Sequence, residues 1–149
     1  MVNDTEEPQV SLAPHIEAVT EVAEKLTATL AAPARARQIV ADALNAWQIP
    51  PSVVRDAELI VSELAANAVQ HTGSPSVRVF CLRGDHLVRI AVHDFSREQP
   101  MVVVTDSLDD ERGRGMRLVA AYALRWGVDA AIVGKVVWAE LAIPRSRRR

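Results

Sequence analysis

Between Pro51 and Gly73 the chain carries Ala57, Leu59, Ile60, Val61, Leu64, Ala65 and Ala68 at helical spacing, and this segment constrains the fold most. Glu63, Asn67 and His71 follow one another at four-residue intervals, so a helix stacks a carboxylate, an amide and an imidazole along one stripe. Such a helix must bury its apolar body against other elements. Its polar stripe needs partners, because an unpaired buried carboxylate is costly. The breaker Ile49-Pro50-Pro51 and Ser52, an N-cap residue type, mark its start, and Gly73 after Thr72 supplies the left-handed turn that ends it.

The neighbouring segments supply what it packs against. Lys25 to Leu30 alternates as a first strand, and Pro33 opens a helix over Ala34 to Trp47. After the central helix come two strands, Ser76 to Leu82 and Leu87 to His93, joined through Arg83-Gly84-Asp85-His86. Asp94 to Gly115 has no periodicity, and a structureless stretch of that length inside a domain reads as a functional lid or as disorder. Met116 to Leu124 is a short helix. Strands Trp126 to Val133 and Lys135 to Ile143 close the chain about a turn at Gly134. Helices grouped apart from antiparallel strands predict an α+β, two-layer α/β sandwich, with a mixed, mostly antiparallel sheet covered by helices on one face.

Composition sets outer limits. At 149 residues and 49% hydrophobic, the chain holds one core of ordinary size, read as a leader over 1–20, a compact unit over 21–143 and a basic tail over 144–149. A single cysteine, Cys81, excludes an internal disulfide and a cysteine-based metal site, and its place in an alternating strand suggests a buried structural thiol. The N-terminus lacks the basic and apolar regions of a signal peptide, and no apolar run reaches a membrane span, so a cytoplasmic protein without membrane contact is expected. The net charge is −2; setting aside the four arginines of the last five positions leaves 13 basic against 19 acidic residues, or −6. An acidic body with a short basic tip does not suggest direct nucleic-acid binding.

Three groups carry the chemistry in order: Glu63-Leu64-Ala65-Ala66-Asn67 on a helix, Asp94 closing a strand, and Gly113-Arg114-Gly115 before a helical run. They read as a nucleotide site with ATP as the leading ligand. With His71 they resemble the N box, the adenine-binding aspartate and the second glycine box of the Bergerat-fold (GHKL) ATPase domain shared by gyrase, histidine kinases and MutL. The similarity is greatest to the small anti-sigma-factor serine/threonine kinases and their actinobacterial ATP-binding relatives, and it covers about residues 24 to 142. Trp126-Gly127 and Gly134-Lys135-Val136-Val137-Trp138 resemble the closing strands of the actinobacterial group. The chain departs from the wider pattern after Asp94, where Phe95-Ser96-Arg97-Glu98 replaces glycines.

The resemblance implies a role for each residue. Asn67 offers an amide oxygen to Mg²⁺, a hard cation that takes few protein ligands. Glu63 is the general base for an attacking hydroxyl, or alternatively a helix carboxylate paired with an arginine or an N–H. Asp94 accepts a hydrogen bond from the adenine amino group. Gly113, Arg114, Gly115 and Met116 bring backbone and a helix N-terminus to the phosphates. Arg112 and Arg117 are further cations there, and His71 is either a helix-end structural histidine or a phosphate-end donor. Lys135 matches a family position or is a solvated hairpin lysine. Trp47, Trp126 and Trp138 are core or interface aromatics.

Two functions fit these roles. One is an ATP–Mg²⁺-dependent serine/threonine kinase that phosphorylates a small antagonist (anti-anti-sigma-like) protein and thereby controls a sigma factor. The other is a nucleotide-dependent protein-binding regulator without phosphotransfer. A full histidine kinase lacks room here for a phosphoacceptor helix pair. Relatives commonly dimerise, which leaves a homodimer open.

Overall fold

This computed structural model describes residues 20–71, 73–95 and 111–145, which hold five strands and three helices. The side chains of residues 71 and 111–115 are not among those described. Residues 1–19 of the predicted leader, 96–110 of the predicted lid and 146–149 of the arginine tail lie outside the described residues.

The elements are β1 (Thr20–Thr27), α1 (Ala32–Ala46), α2 (Pro51–His71), β2 (Ser76–Arg83), β3 (Leu87–Asp94), α3 (Glu111–Tyr122), β4 (Arg125–Ala130) and β5 (Lys135–Ala142). The strands form one sheet in the order β1-β2-β3-β5-β4. Every neighbouring pair is antiparallel, so the sheet is not mixed. The α+β two-layer reading otherwise holds.

Two element starts differ most from the sequence reading, for physical reasons; β1 and β4 also each end three residues early, at Thr27 and Ala130. β1 starts at Thr20, five residues before Lys25. Its Glu21, Glu24 and Lys25 are tolerated because β1 is an edge strand, and charge on an edge also discourages pairing with another sheet. α3 starts at Glu111, not Met116, so it includes Gly113 and Gly115. Each glycine costs a helix interior only about 1 kcal/mol, and the helix formers around them outweigh it.

α1 packs along α2, and α2 lies across β3, β5 and β2. The main core lies between them, with Leu44, Ile60, Val61 and Leu64 from the helices and Val77, Val79, Val88, Ile90, Val92 and Ala139 from the sheet. α1 ends in a Schellman motif: Ile49 N–H donates to Leu44 C=O at 3.0 Å and Gln48 N–H to Asn45 C=O at 3.0 Å. Gln48, at φ 57°, occupies the left-handed position usually given to glycine.

A second cluster lies on the sheet face turned away from the helices, formed by Phe80, Leu82, Ala91 and Val136 with Trp138 against them. There Glu140 of β5 is bound by an arginine from the strand on either side. Arg89 donates from Nε and Nη2 to Oε2 at 3.0 and 2.7 Å, and Arg125 Nε donates to Oε1 at 2.8 Å. The Arg89 guanidinium also stands 4.5 Å from the centre of the Trp138 ring. Trp138 also covers Gly127, where an added Cβ would meet the ring at 2.7 Å.

Candidate functional site

The alternation of β3 decides where Asp94 points. Val88, Ile90 and Val92 face the helices, and Asp94 continues that set, whereas Arg89, Ala91 and His93 face the other way. Asp94 is 1% exposed. It lies opposite Lys135 of β5 and Val77 of β2. Lys135 therefore shares the strand-end position and face of Asp94, because directly opposed residues stand side by side on one face of a sheet.

α2 supplies the polar stripe. Glu63 and Asn67 are both half-buried on it, beside the fully buried Ile60, Val61, Leu64 and Ala65. Glu63 has no hydrogen bond or ion pair among the described residues, so no arginine neutralises it there. Asn67 Nδ2 lies 3.8 Å from Met116 Sδ, a weak bond to a soft acceptor that leaves the amide oxygen for another partner. The contact arises because α3 packs on α2. It joins the amide of the N-box-like group to the last residue of the glycine-rich one.

Gly113, Arg114 and Gly115 lie in the first two turns of α3. The sequence reading put them in a loop before the helix. His71 ends α2, and its side chain lies outside those described.

Ser74, which the sequence reading did not single out, ties the two ends of the site together. Its hydroxyl accepts the Phe95 N–H at 3.0 Å and donates to the Ser76 carbonyl at 2.5 Å. The link from α2 to β2 is thereby fastened to the residue after Asp94. The only available signal was a serine between glycine and proline in a turn. Phe95 itself packs edge-on against His93, with ring centres 4.4 Å apart, and Lys25 Nζ lies 5.5 Å from its centre. This is how the chain ends β3 without the glycines of the wider pattern.

No group of three or more His, Cys, Asp or Glu suited to a metal occurs among the described residues. A Mg²⁺ held by nucleotide phosphates needs no such cage, and a half-buried amide oxygen one turn from a carboxylate is a donor set that fits it. Cys81 is buried on the helix-facing side of β2, and burial pushes its thiol up to about 12 from an ordinary 9.0. Trp47 and Trp126 pack against the main core and Trp138 against the second cluster.

The model of the histidine kinase-like ATPase domain matches residues 26–140. No curated protein matches the sequence. The fold is similar to the crystal structure of the RsbU and RsbW domains of Rv1364c from Mycobacterium tuberculosis, with a TM-score of 0.66 at 20% identity. That match covers 87% of this chain and 34% of the other, so the chain spans about a third of the protein it resembles.

Proposed function

This chain belongs to the histidine kinase-like ATPase domains, and from that premise we propose that it binds ATP with Mg²⁺ and passes the terminal phosphoryl group to a serine or threonine hydroxyl of a small antagonist protein. The observation that supports this reading is the juxtaposition on α2, α3 and β3. Glu63 and Asn67 share a helix stripe, Met116 lies against Asn67, and Asp94 faces the same layer from a strand end.

Asp94 accepts the adenine amino group. Asn67 would hold Mg²⁺ through its amide oxygen, and the ion supplies charge neutralisation to the phosphates. Glu63, unneutralised by any cation among the described residues, takes the proton of the attacking hydroxyl as the phosphoryl group transfers. Backbone at Gly113 and Gly115 would approach the phosphates, with Arg114 as a further cation. By modifying the antagonist the kinase would release or capture a sigma factor. Among the described residues no helix is long and apolar enough to cross a membrane.

Purified protein with labelled ATP, Mg²⁺ and antagonist proteins encoded beside it tests the reading. Label should move to the antagonist, and Glu63→Gln should reduce transfer by roughly 10²–10⁴-fold at unchanged nucleotide affinity. Near wild-type transfer by that variant would make Glu63 structural. The second reading, a nucleotide-dependent binder without transfer, is favoured by one feature, the Phe95–His93 packing where the wider pattern has glycines. Nucleotide-dependent capture of the antagonist without label transfer would establish it.

A further inference from the structure

The turn between β4 and β5 is built against the end of β3, and backbone atoms make the contact. Gly134 has φ +77°, a left-handed conformation that side chains disfavour. A Cβ there would overlap the Asp94 carbonyl oxygen outright, and would stand 2.9 Å from the Asp94 carbonyl carbon and 3.1 Å from Phe95 Cα. No side-chain rotamer relieves such an overlap, because both partners are main chain.

The residues around Asp94 are held as well. His93 Nε2 donates to the Val133 carbonyl at 2.7 Å, one residue before Gly134. Ala131 N–H donates to the Gly134 carbonyl at 3.0 Å and closes the turn. Phe95 N–H is fixed on Ser74, and Lys135 is the ladder partner of Asp94. The residue before Asp94, the residue after it and its own carbonyl thus each meet a separate restraint.

We propose that Gly134 is a positioning residue for the nucleotide. By lacking a Cβ it lets the β4–β5 turn seat on the Asp94 backbone, and this fixes the direction of the carboxylate that meets the base. The inference rests on the reading that Asp94 receives the adenine amino group. A hydrogen bond between a buried carboxylate and an amine depends steeply on angle and distance, so a shift of the strand end costs recognition of the base and not of the phosphates.

Calorimetry with ATP and with inosine triphosphate, which carries a carbonyl in place of the amine, separates these effects. The wild type should prefer ATP. Gly134→Ala should reduce that preference by about tenfold or more while leaving affinity for inosine triphosphate within about twofold, the signature of a lost base contact. Gly127→Ala, in the same hairpin but clashing with Trp138, should melt earlier and keep the preference. If Gly134→Ala does not fold, His93→Leu frees the turn from β3 without a backbone clash and should lower the preference about fivefold.

Full ATP preference in Gly134→Ala, or in His93→Leu where the first variant does not fold, overturns the positioning role. Equal affinity of the wild type for both nucleotides removes the adenine role of Asp94, and the inference with it, before any variant is made.

Discussion

At the scale of single residues, polar side chains in this chain are either held from several sides or left open, and the difference separates structure from site. Glu140 is fully buried and bound by Arg89 and Arg125, and Arg89 is itself 2% exposed. Removing the carboxylate takes from the buried Arg89 the oxygen that its Nε and Nη2 both donate to. Glu140→Ala should therefore destabilise the fold by about 3–5 kcal/mol in urea unfolding, whereas a loss below about 1 kcal/mol would mean that the pair is solvated. Glu63 is the opposite case, half-buried and without a partner among the described residues. The contrast was not legible in the sequence. Glu140 sits in the alternation of β5 like any outward residue, and only the order of the strands brings Arg89 and Arg125 to its two sides.

At the scale of elements, legibility followed the strength of local punctuation. Pro33 and Pro51 fix helix starts through their φ angle, and Gly73 and Gly134 both adopt positive φ where the chain turns. α2 and the strands from β2 onward were therefore readable to within a few residues. β1 and α3 were not, since an edge strand tolerates charge and a helix tolerates glycines at a cost too small to stop it. The end of α1 shows how a weak signal hides a definite structure. Gln48 takes the left-handed position of a Schellman motif at a cost of about 1–2 kcal/mol, which glycine avoids while losing about 0.5–1 kcal/mol of chain entropy. Gln48→Gly should raise stability by about 0.5–1 kcal/mol, read as a higher melting midpoint. An unchanged or lower midpoint would show that the Gln48 side chain contributes more than its backbone strain costs.

At the scale of the whole molecule, the sheet has two buried faces, one under the helices and one bearing Phe80, Trp138 and the Glu140 arginine pair. Alternation pointed to the first face. The second was hidden because its apolar positions are interleaved with arginine, histidine and glutamate that read as solvated. Burial of Cys81 on the first face makes global stability depend on pH. The folded thiol keeps its proton up to about 12, while an unfolded thiol loses it near 9.0. The contribution is fully present below about pH 9 and is lost as pH rises toward about 12. Above pH 9 the wild type should lose up to about 1.4 kcal/mol per pH unit more than Cys81→Ala, measured as urea midpoints across the range. Parallel pH profiles would show that the thiol ionises without unfolding.

In the proposed complex ATP lies between α2 and the end of β3, with its base on Asp94. Calorimetry of ATP with Mg²⁺ against the wild type and Asp94→Asn tests this most directly, since the substitution replaces an acceptor-only carboxylate with an amide and changes little else in size. Measurable binding by the wild type and a strong loss in the variant are expected. Equal affinity in the two proteins would contradict that placement.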